Sequence, residues 1–233
     1  MKILGIESSA NVGSVAYLKD DEVIVEYTLN YRKTHSETLL PMIDDMGKKA
    51  EIDFSELDAI AVSAGPGSFT GLRIGSATAK GMGLALNIPI IPVSTTQALC
   101  YNLVGVSGLI CPIMDARRSQ VYTGIFRFND NDELETVLDT TAIGIDELIS
   151  ILGDKGEKVT FVGDGVKVFG NIIAEQIKCE YRFASPANCL QRASSVALLG
   201  TKLMAAGITE HARDHAPIYL RMSQAERERL EKG

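Results

Sequence analysis

The sequence is poor in the residues that build metal sites and disulfide frameworks. Its 233 residues include no tryptophan, three histidines and four cysteines. The cysteines, Cys100, Cys111, Cys179 and Cys189, form no close pair, so the spacing of a zinc site or a disulfide framework is absent. Reduced thiols in a cytoplasmic protein are the simplest interpretation, and we predict a cytoplasmic location without a bound metal.

Long apolar runs and an excess of positive charge are also missing. The apolar run 103–114 is too short to span a membrane and contains Pro112, and Glu7 interrupts the apolar N-terminus. We therefore expect neither a membrane span nor a signal peptide. The formal net charge is -7, with 23 Lys and Arg against 30 Asp and Glu. This balance argues against unaided binding to a polyanion, although a local basic patch stays possible.

One order of predicted elements occurs twice along the chain. Each half reads as three strands, a helix, a strand and a second helix. In the first half these are strands 3–6, 12–18 and 22–29, helix 35–50, strand 59–62 and a helix ending near 86. In the second half they are strands 109–114, 120–127 and 133–140, helix 145–152, strand 159–162 and helix 166–177.

The repeat predicts an α/β fold of two lobes, each with a mixed sheet covered by helices. We place the first lobe at 1–105 and the second at 106–222. The second lobe includes a helix at 190–206, which we expect to pack on a lobe, and a short extended piece at 217–221. Residues 223–233 form a tail in which six of eleven residues are charged, typical of a solvated or frayed helix.

A glycine-rich turn follows the strand at 59–62 and opens the next helix. The segment 65–73 reads GPGSFTGLR, in which Ser68 or Thr70 can cap the helix. The turn could also hold an anion at the helix N-terminus, but it lacks the Gly-Lys-Ser/Thr ending of a phosphate-binding P-loop. A structural turn is favoured over a phosphate site.

Acids end the first strand of each half. Glu7 and Asp115 would face one cleft between the lobes, where carboxylates can support metal and phosphate chemistry. Ser8 and the turn at Gly163 are further candidates for binding a cofactor there. Phosphotransferases of this duplicated architecture usually have Asp, followed by Gly and Thr or Ser, where this chain has Glu7-Ser8-Ser9. A small-molecule kinase that uses Glu7 and Asp115 is therefore the alternative function.

The histidines and one glycine stripe complete the candidates. His211 and His215 could share a helix face as a metal pair, but a solvated loop or helix end is favoured, and His35 is placed to cap a helix.

Small residues recur every four positions in the helix after the turn, at Gly71, Gly75, Ala79 and Gly83. A helical glycine costs about 1 kcal/mol relative to alanine, so the stripe indicates close approach, either of the chain's own sheet or of another subunit.

Five segments of the sequence resemble the TsaB (YeaZ) family. They are 3–9 (ILGIESS), 35–41 (HSETLLP), 65–75 (GPGSFTGLRIG), 92–95 (PVST) and 219–221 (YLR). The glycine-rich string is the most specific, and the similarity spans nearly the whole chain. The resemblance implies the duplicated actin-like, Hsp70-like ATPase fold, which is ribonuclease H-like.

The resemblance also implies a function in making threonylcarbamoyladenosine next to the anticodon of tRNAs. TsaB proteins are not the transferase; they pair with a catalytic TsaD-type subunit and work with a TsaE-type ATPase. The chain is then a scaffold or activating subunit without a cofactor of its own. It forms a homodimer when alone and touches tRNA only indirectly or weakly.

In this family the helices that begin at 35 and after the glycine-rich turn build the subunit interface. The resemblance thus places the interface at Leu39, Leu40, Ile43, Ile74, Gly75, Ala79 and Leu84. A Gly75→Glu change is expected to abolish pairing.

Two positions separate the chain from the catalytic relative. TsaD-type proteins carry a metal-binding His-x-x-x-His pair just after the segment that corresponds to 90–93. Thr95 and Leu99 stand there in this chain, and neither side chain binds a metal as histidine does. The difference implies a non-catalytic partner and speaks against a third possibility, a metallopeptidase.

Overall fold

The structure is a computed structural model in which we describe residues 1–31 and 34–221. The predicted charged tail at 223–233 lies outside the described residues. Two sheets of five strands each form the centre of the fold. None of the helices in the described ranges has both the length and the apolar character needed to cross a membrane.

The first sheet has the strand order β3-β2-β1-β4-β5. Its strands are β1 (Lys2–Glu7), β2 (Gly13–Lys19), β3 (Glu22–Leu29), β4 (Ala59–Gly65) and β5 (Ile90–Ser94). Strand β1 pairs antiparallel with β2 and parallel with β4, so the sheet is mixed. Helices α1 (His35–Lys49) and α2 (Phe69–Leu86) cover one face of this sheet, and α3 (Thr95–Cys100) follows β5.

The second sheet repeats this arrangement in the order β10-β9-β6-β7-β8. Its strands are β6 (Leu109–Asp115), β7 (Gln120–Phe128), β8 (Leu134–Gly144), β9 (Val159–Val162) and β10 (Tyr181–Phe183). Helices α4 (Ile145–Lys155) and α5 (Gly165–Gln176) pack on it, and α6 (Ala193–Ala205) ends the described helices. The prediction of two mixed sheets with crossover helices is confirmed.

The repeat pattern omitted the fifth strand of each sheet. Strand β5 has only five residues and contains Pro92, and β10 has three residues that are not fully buried. Elements this short give no readable periodicity of apolar residues. Both strands pair parallel with their neighbours, β5 with β4 and β10 with β9, and each adds one edge strand to its sheet.

Each sheet is also covered by a helix from the other half of the chain. Helix α6 packs on the first sheet, where a Cβ atom on Gly5 would lie 2.4 Å from the backbone oxygen of Ala193. Its first turn is fixed there, because Arg192 Nε donates to Glu26 at 3.1 Å and the Ala193 N–H donates to Ser14 Oγ at 3.1 Å. Helix α3 in turn contributes to a core with β6, β7 and β9. The division of the chain at 105/106 stays a prediction.

Candidate functional site

A polar cavity lies between the two lobes at the ends of β1 and β6. Its volume is about 580 Å³, and its lining comes from both halves of the chain, including Asn11, Ser68, Asp115 and Asp164. The extended piece after α6 closes one side with Tyr219. Of the four predicted cofactor-site residues, only Asp115 lines this cavity.

Glu7 is buried at the end of β1, and only one of its two carboxyl oxygens has a hydrogen-bond partner among the described residues. Its Oε1 accepts hydrogen bonds from the N–H and the hydroxyl of Ser9, both at 2.6 Å, whereas Oε2 has no partner among the described residues. Burial raises the pKa of this carboxyl to about 7, although the Ser9 hydrogen bonds act in the opposite direction. The end of β1 thus holds a buried carboxyl whose ionised form is disfavoured by burial.

The loop after β1 is filled by the chain's own glycine-rich turn. The Ser68 N–H donates to the carbonyl oxygen of Ser9 at 2.6 Å, and Ser8 Oγ donates to the carbonyl oxygen of Gly71 at 2.9 Å. A Cβ atom on Gly67 would lie 2.4 Å from the Ser9 oxygen. The serines that a phosphate would need are thus committed to internal contacts.

The second lobe places two carboxylates at the same cavity. Asp115 accepts a hydrogen bond from the Arg117 N–H at 2.8 Å and lies 3.4 Å from its guanidinium. Asp164 accepts from Gln191 Nε2 at 2.8 Å, and burial raises the pKa of Asp164. Gly163 itself does not line the cavity; its φ of +111° and its contact with the Ile113 backbone require glycine there.

Asp164 and Gln191 were missed by the sequence analysis. Asp164 stands within the Gly163-Asp164-Gly165 turn that the repeat pattern identified, so a signal for it was present. Gln191 precedes α6, is buried, and contacts the cavity only through its hydrogen bond to Asp164. No local pattern marks it, and its Oε1 has no hydrogen-bond partner within the described part of the chain.

The raised pKa of Glu7 predicts that stability depends on pH. The folded pKa is about 7 and the reference value is 4.5, so the folded state holds the proton more tightly. The contribution of Glu7 to stability is fully present below the unfolded pKa and is lost as pH rises through the folded pKa. The free energy of unfolding is expected to fall by about 3 kcal/mol between pH ~4.5 and ~8.

Urea unfolding of Glu7→Gln across this pH range checks the assignment. The variant is expected to lose most of the slope, and Asp164 accounts for part of what stays. Glu56→Gln is the matched control, because Glu56 is an exposed carboxylate paired with Lys2. An unchanged slope in Glu7→Gln would contradict a raised pKa at this position.

The structure places two histidines differently from the sequence analysis. His215 is buried rather than solvated; its Nδ1 lies 3.0 Å from Glu210 Oε2 and its Nε2 lies 3.0 Å from Ser76 Oγ. The C-terminal segment therefore packs on α2 and is not a free helix end. His35 Nε2 lies 2.7 Å from the carbonyl oxygen of Ala10, which ties the start of α1 to the loop after β1.

Most of the predicted interface residues lie inside the chain. Leu39, Ile43 and Ala79 are buried, and a Cβ atom on Gly75 would lie 2.2 Å from Ser8 Oγ. The small-residue stripe of α2 thus packs inside the chain, against Ser8 and Ala212, which is the first of the two alternatives that the sequence left open. The subunit interface itself stays a prediction.

Three of the predicted residues do reach the surface. Leu40 is 56% exposed, Leu84 is 51% exposed, and Ile74 is half-buried. Ala77 and Gly81 are exposed on the outer side of α2 and were not predicted. Their i, i+4 spacing could have been read from the sequence, but it was hidden by the stronger stripe on the inner side.

Comparisons with known proteins agree with this architecture. A family model described as "TsaD: tRNA N6-adenosine threonylcarbamoyltransferase" matches residues 22–229. A TsaB protein of Bacillus subtilis, a tRNA threonylcarbamoyladenosine biosynthesis protein, is 33% identical over 99% of this chain and 99% of its own length. The chain belongs to the TsaB family, within the wider family of that model. This family acts in the biosynthesis of threonylcarbamoyladenosine in tRNA.

Solved structures show the same fold. YeaZ from Pseudomonas aeruginosa matches with a TM-score of 0.77 at 25% identity, over 94% of this chain and 99% of that one. An inorganic polyphosphate/ATP-glucomannokinase from an Arthrobacter strain matches with a TM-score of 0.52 at 10% identity, over 88% of this chain and 99% of that one. The second likeness concerns the fold alone. The predicted actin-like ATPase fold is confirmed.

Proposed function

We propose that this chain is a non-catalytic scaffold subunit that binds a TsaD-type catalytic subunit and makes it competent for threonylcarbamoyl transfer to tRNA. A TsaE-type ATPase joins this assembly, and the chain pairs with a second copy of itself when the TsaD-type subunit is absent. The cytoplasmic location stays a prediction.

The observation that carries this proposal is the outer face of α2. Gly81 stands in the middle of an 18-residue helix, is exposed, and a Cβ atom there would meet nothing within 4 Å. Glycine at such a position lowers helix stability without serving the chain's own packing. Gly81 and the exposed side chains of Leu84 on α2 and Leu40 on α1 define what we call the outer α1–α2 face. Such a face fits a closely approaching helix of a partner.

The cavity between the lobes supports a non-catalytic function. Thr95 and Leu99, at the positions of the histidine pair in TsaD-type proteins, are buried in α3. The loop after β1 is occupied by the glycine-rich turn, so its serines are not free to hold a phosphate. The chain thus lacks the metal-binding histidine pair that the resemblance gives to the catalytic relatives, and its loop serines are not available to a phosphate.

A small-molecule kinase is the second candidate, and one observation favours it. The cavity is polar, and the carboxylates of Asp115 and Asp164 line it. A kinase would bind Mg-ATP there, and an Asp115→Asn change would weaken that binding. The filled loop after β1 makes this the weaker of the two proposals.

A reconstituted transfer assay tests the scaffold function. The TsaD- and TsaE-type partners, the threonylcarbamoyl-adenylate donor and tRNA are combined with this chain present or left out. We expect modified tRNA only when the chain is present, and equal product with Asp115→Asn. Equal product without the chain would overturn the scaffold proposal. Binding of Mg-ATP by the chain alone that is weakened in a folded Asp115→Asn variant would favour the kinase.

A further inference from the structure

The cavity between the lobes continues into a second one, so the two form a long groove. The second cavity has a volume of about 880 Å³ and shares Ala10, Asn11, Asn30, Ser68 and Lys167 with the first. At its far end it is lined by Tyr31. We call the two cavities together the inter-lobe groove.

Cations line this groove although the chain as a whole is acidic. Arg117, Lys167 and Arg221 all line the first cavity, and the Arg117 side chain is 87% exposed. The same cavity holds two acids, so the cations outnumber them by one. Asp115 is paired with Arg117, and Asp164 accepts a hydrogen bond from Gln191. A basic groove in a chain of net charge -7 marks a local site for an anion.

Aromatic side chains stand beside these cations. The Tyr219 ring packs on the Phe69 ring with centroids 4.5 Å apart, and the Arg73 guanidinium lies 3.9 Å from the Phe69 centroid. Arg73 Nε also donates to the Tyr219 hydroxyl at 3.2 Å, which holds the ring in place. Tyr219 is 38% exposed, and Tyr31 at the other end of the groove is 68% exposed. Rings held at a basic groove are platforms on which nucleobases stack.

We propose that the inter-lobe groove binds a single-stranded segment of RNA. Its phosphates would contact Arg117, Lys167 and Arg221, and its bases would stack on Tyr219 and Tyr31. The choice of RNA as the anion rests on the proposed function, which supplies a tRNA. A mononucleotide fits less well, because Tyr31 lines the second cavity whereas Tyr219 lines the first, and the loop after β1 is already filled.

Fluorescence anisotropy of the full chain with a fluorescein-labelled single-stranded RNA of about ten nucleotides tests this site at about 50 mM salt. Lys167→Gln is expected to weaken binding about threefold and to reduce the slope of log affinity against log salt by about 0.7. Tyr219→Leu is expected to weaken binding about tenfold through lost stacking. Melting temperatures show whether each variant is folded.

Lys178→Gln is the matched control, because Lys178 is exposed just beyond the opposite end of α5 from Lys167. It should leave the affinity and the salt slope unchanged. Equal effects of both lysine changes, no RNA binding by the parent chain, or displacement of the RNA by an equal concentration of AMP would each overturn the proposal. Binding of the TsaD-type subunit is measured separately, so failure of the RNA site is distinguishable from failure of the scaffold function.

Discussion

A Gly81→Glu variant is expected to lose at least about 100-fold in affinity for the TsaD-type subunit while keeping its fold. A Glu side chain at this position meets nothing within 4 Å in the chain itself. In the complex the same side chain would stand between two closely packed helices, where its charge has no partner. The loss would thus come from the interface and not from the folding of this subunit.

Calorimetric titration of the TsaD-type subunit into each variant measures this effect. Gly153→Glu is the matched control, because Gly153 lies within α4 of the second lobe and a Cβ atom there also meets nothing within 4 Å. Its affinity should equal that of the parent chain. Parental affinity in a folded Gly81→Glu variant would show that the outer α1–α2 face is not the interface.

The second large effect concerns the inner side of the same helix. A Gly71→Ala change is expected to destabilise the chain by about 3 kcal/mol, because the new Cβ atom would lie 2.1 Å from the backbone oxygen of Ser8. The new Cβ atom is attached to the helix backbone and the Ser8 oxygen to the loop backbone, so neither can move away without a shift of the main chain. Chemical unfolding in urea gives the difference in the free energy of unfolding.

The matched control changes another glycine of α2 in the same way. Gly81→Ala adds a Cβ atom in open space and is expected to stabilise the helix by up to about 1 kcal/mol. Equal stability of Gly71→Ala and Gly81→Ala would contradict the close packing of α2 on the loop after β1. Gly75→Glu, predicted from the sequence to abolish pairing, would damage the same inner contact and cannot separate folding from binding.

The course of the chain within each lobe could be predicted from the sequence, whereas contacts between distant segments could not. The strand at β1 and the glycine-rich turn are local patterns, and Ser68 caps α2 as expected by accepting from the Gly71 N–H at 3.3 Å. The contacts of the Gly71–Gly83 stripe, in contrast, join segments that are distant in the sequence. The spacing of the small residues shows that something approaches closely. Only the fold shows that it is the loop after β1 at Gly71 and Gly75 and Ala212 at Gly83.

The same distinction applies to the candidate site. Asp115 lines the cavity, and its place at the end of the first strand of a repeated unit is what predicted it there. Glu7 was predicted on the same ground but is buried and does not line the cavity. Tyr219 and Arg221 could not be predicted there, since the extended segment reaches the cavity through a hydrogen bond from the Ile218 N–H to the Ala64 oxygen at 2.7 Å. Arg221 then donates to the Ala116 oxygen at 2.8 Å and joins the two lobes. Nothing local to 217–221 indicates these partners.

Peptide-resolved amide exchange of the parent chain, with and without the TsaD-type subunit, tests the scaffold proposal most directly. We predict that the subunit slows exchange in peptides from α1 and α2 and leaves those from α4 and α5 unchanged. Slower exchange confined to the second lobe, or no change anywhere at saturating partner, would contradict a scaffold that acts through the outer α1–α2 face.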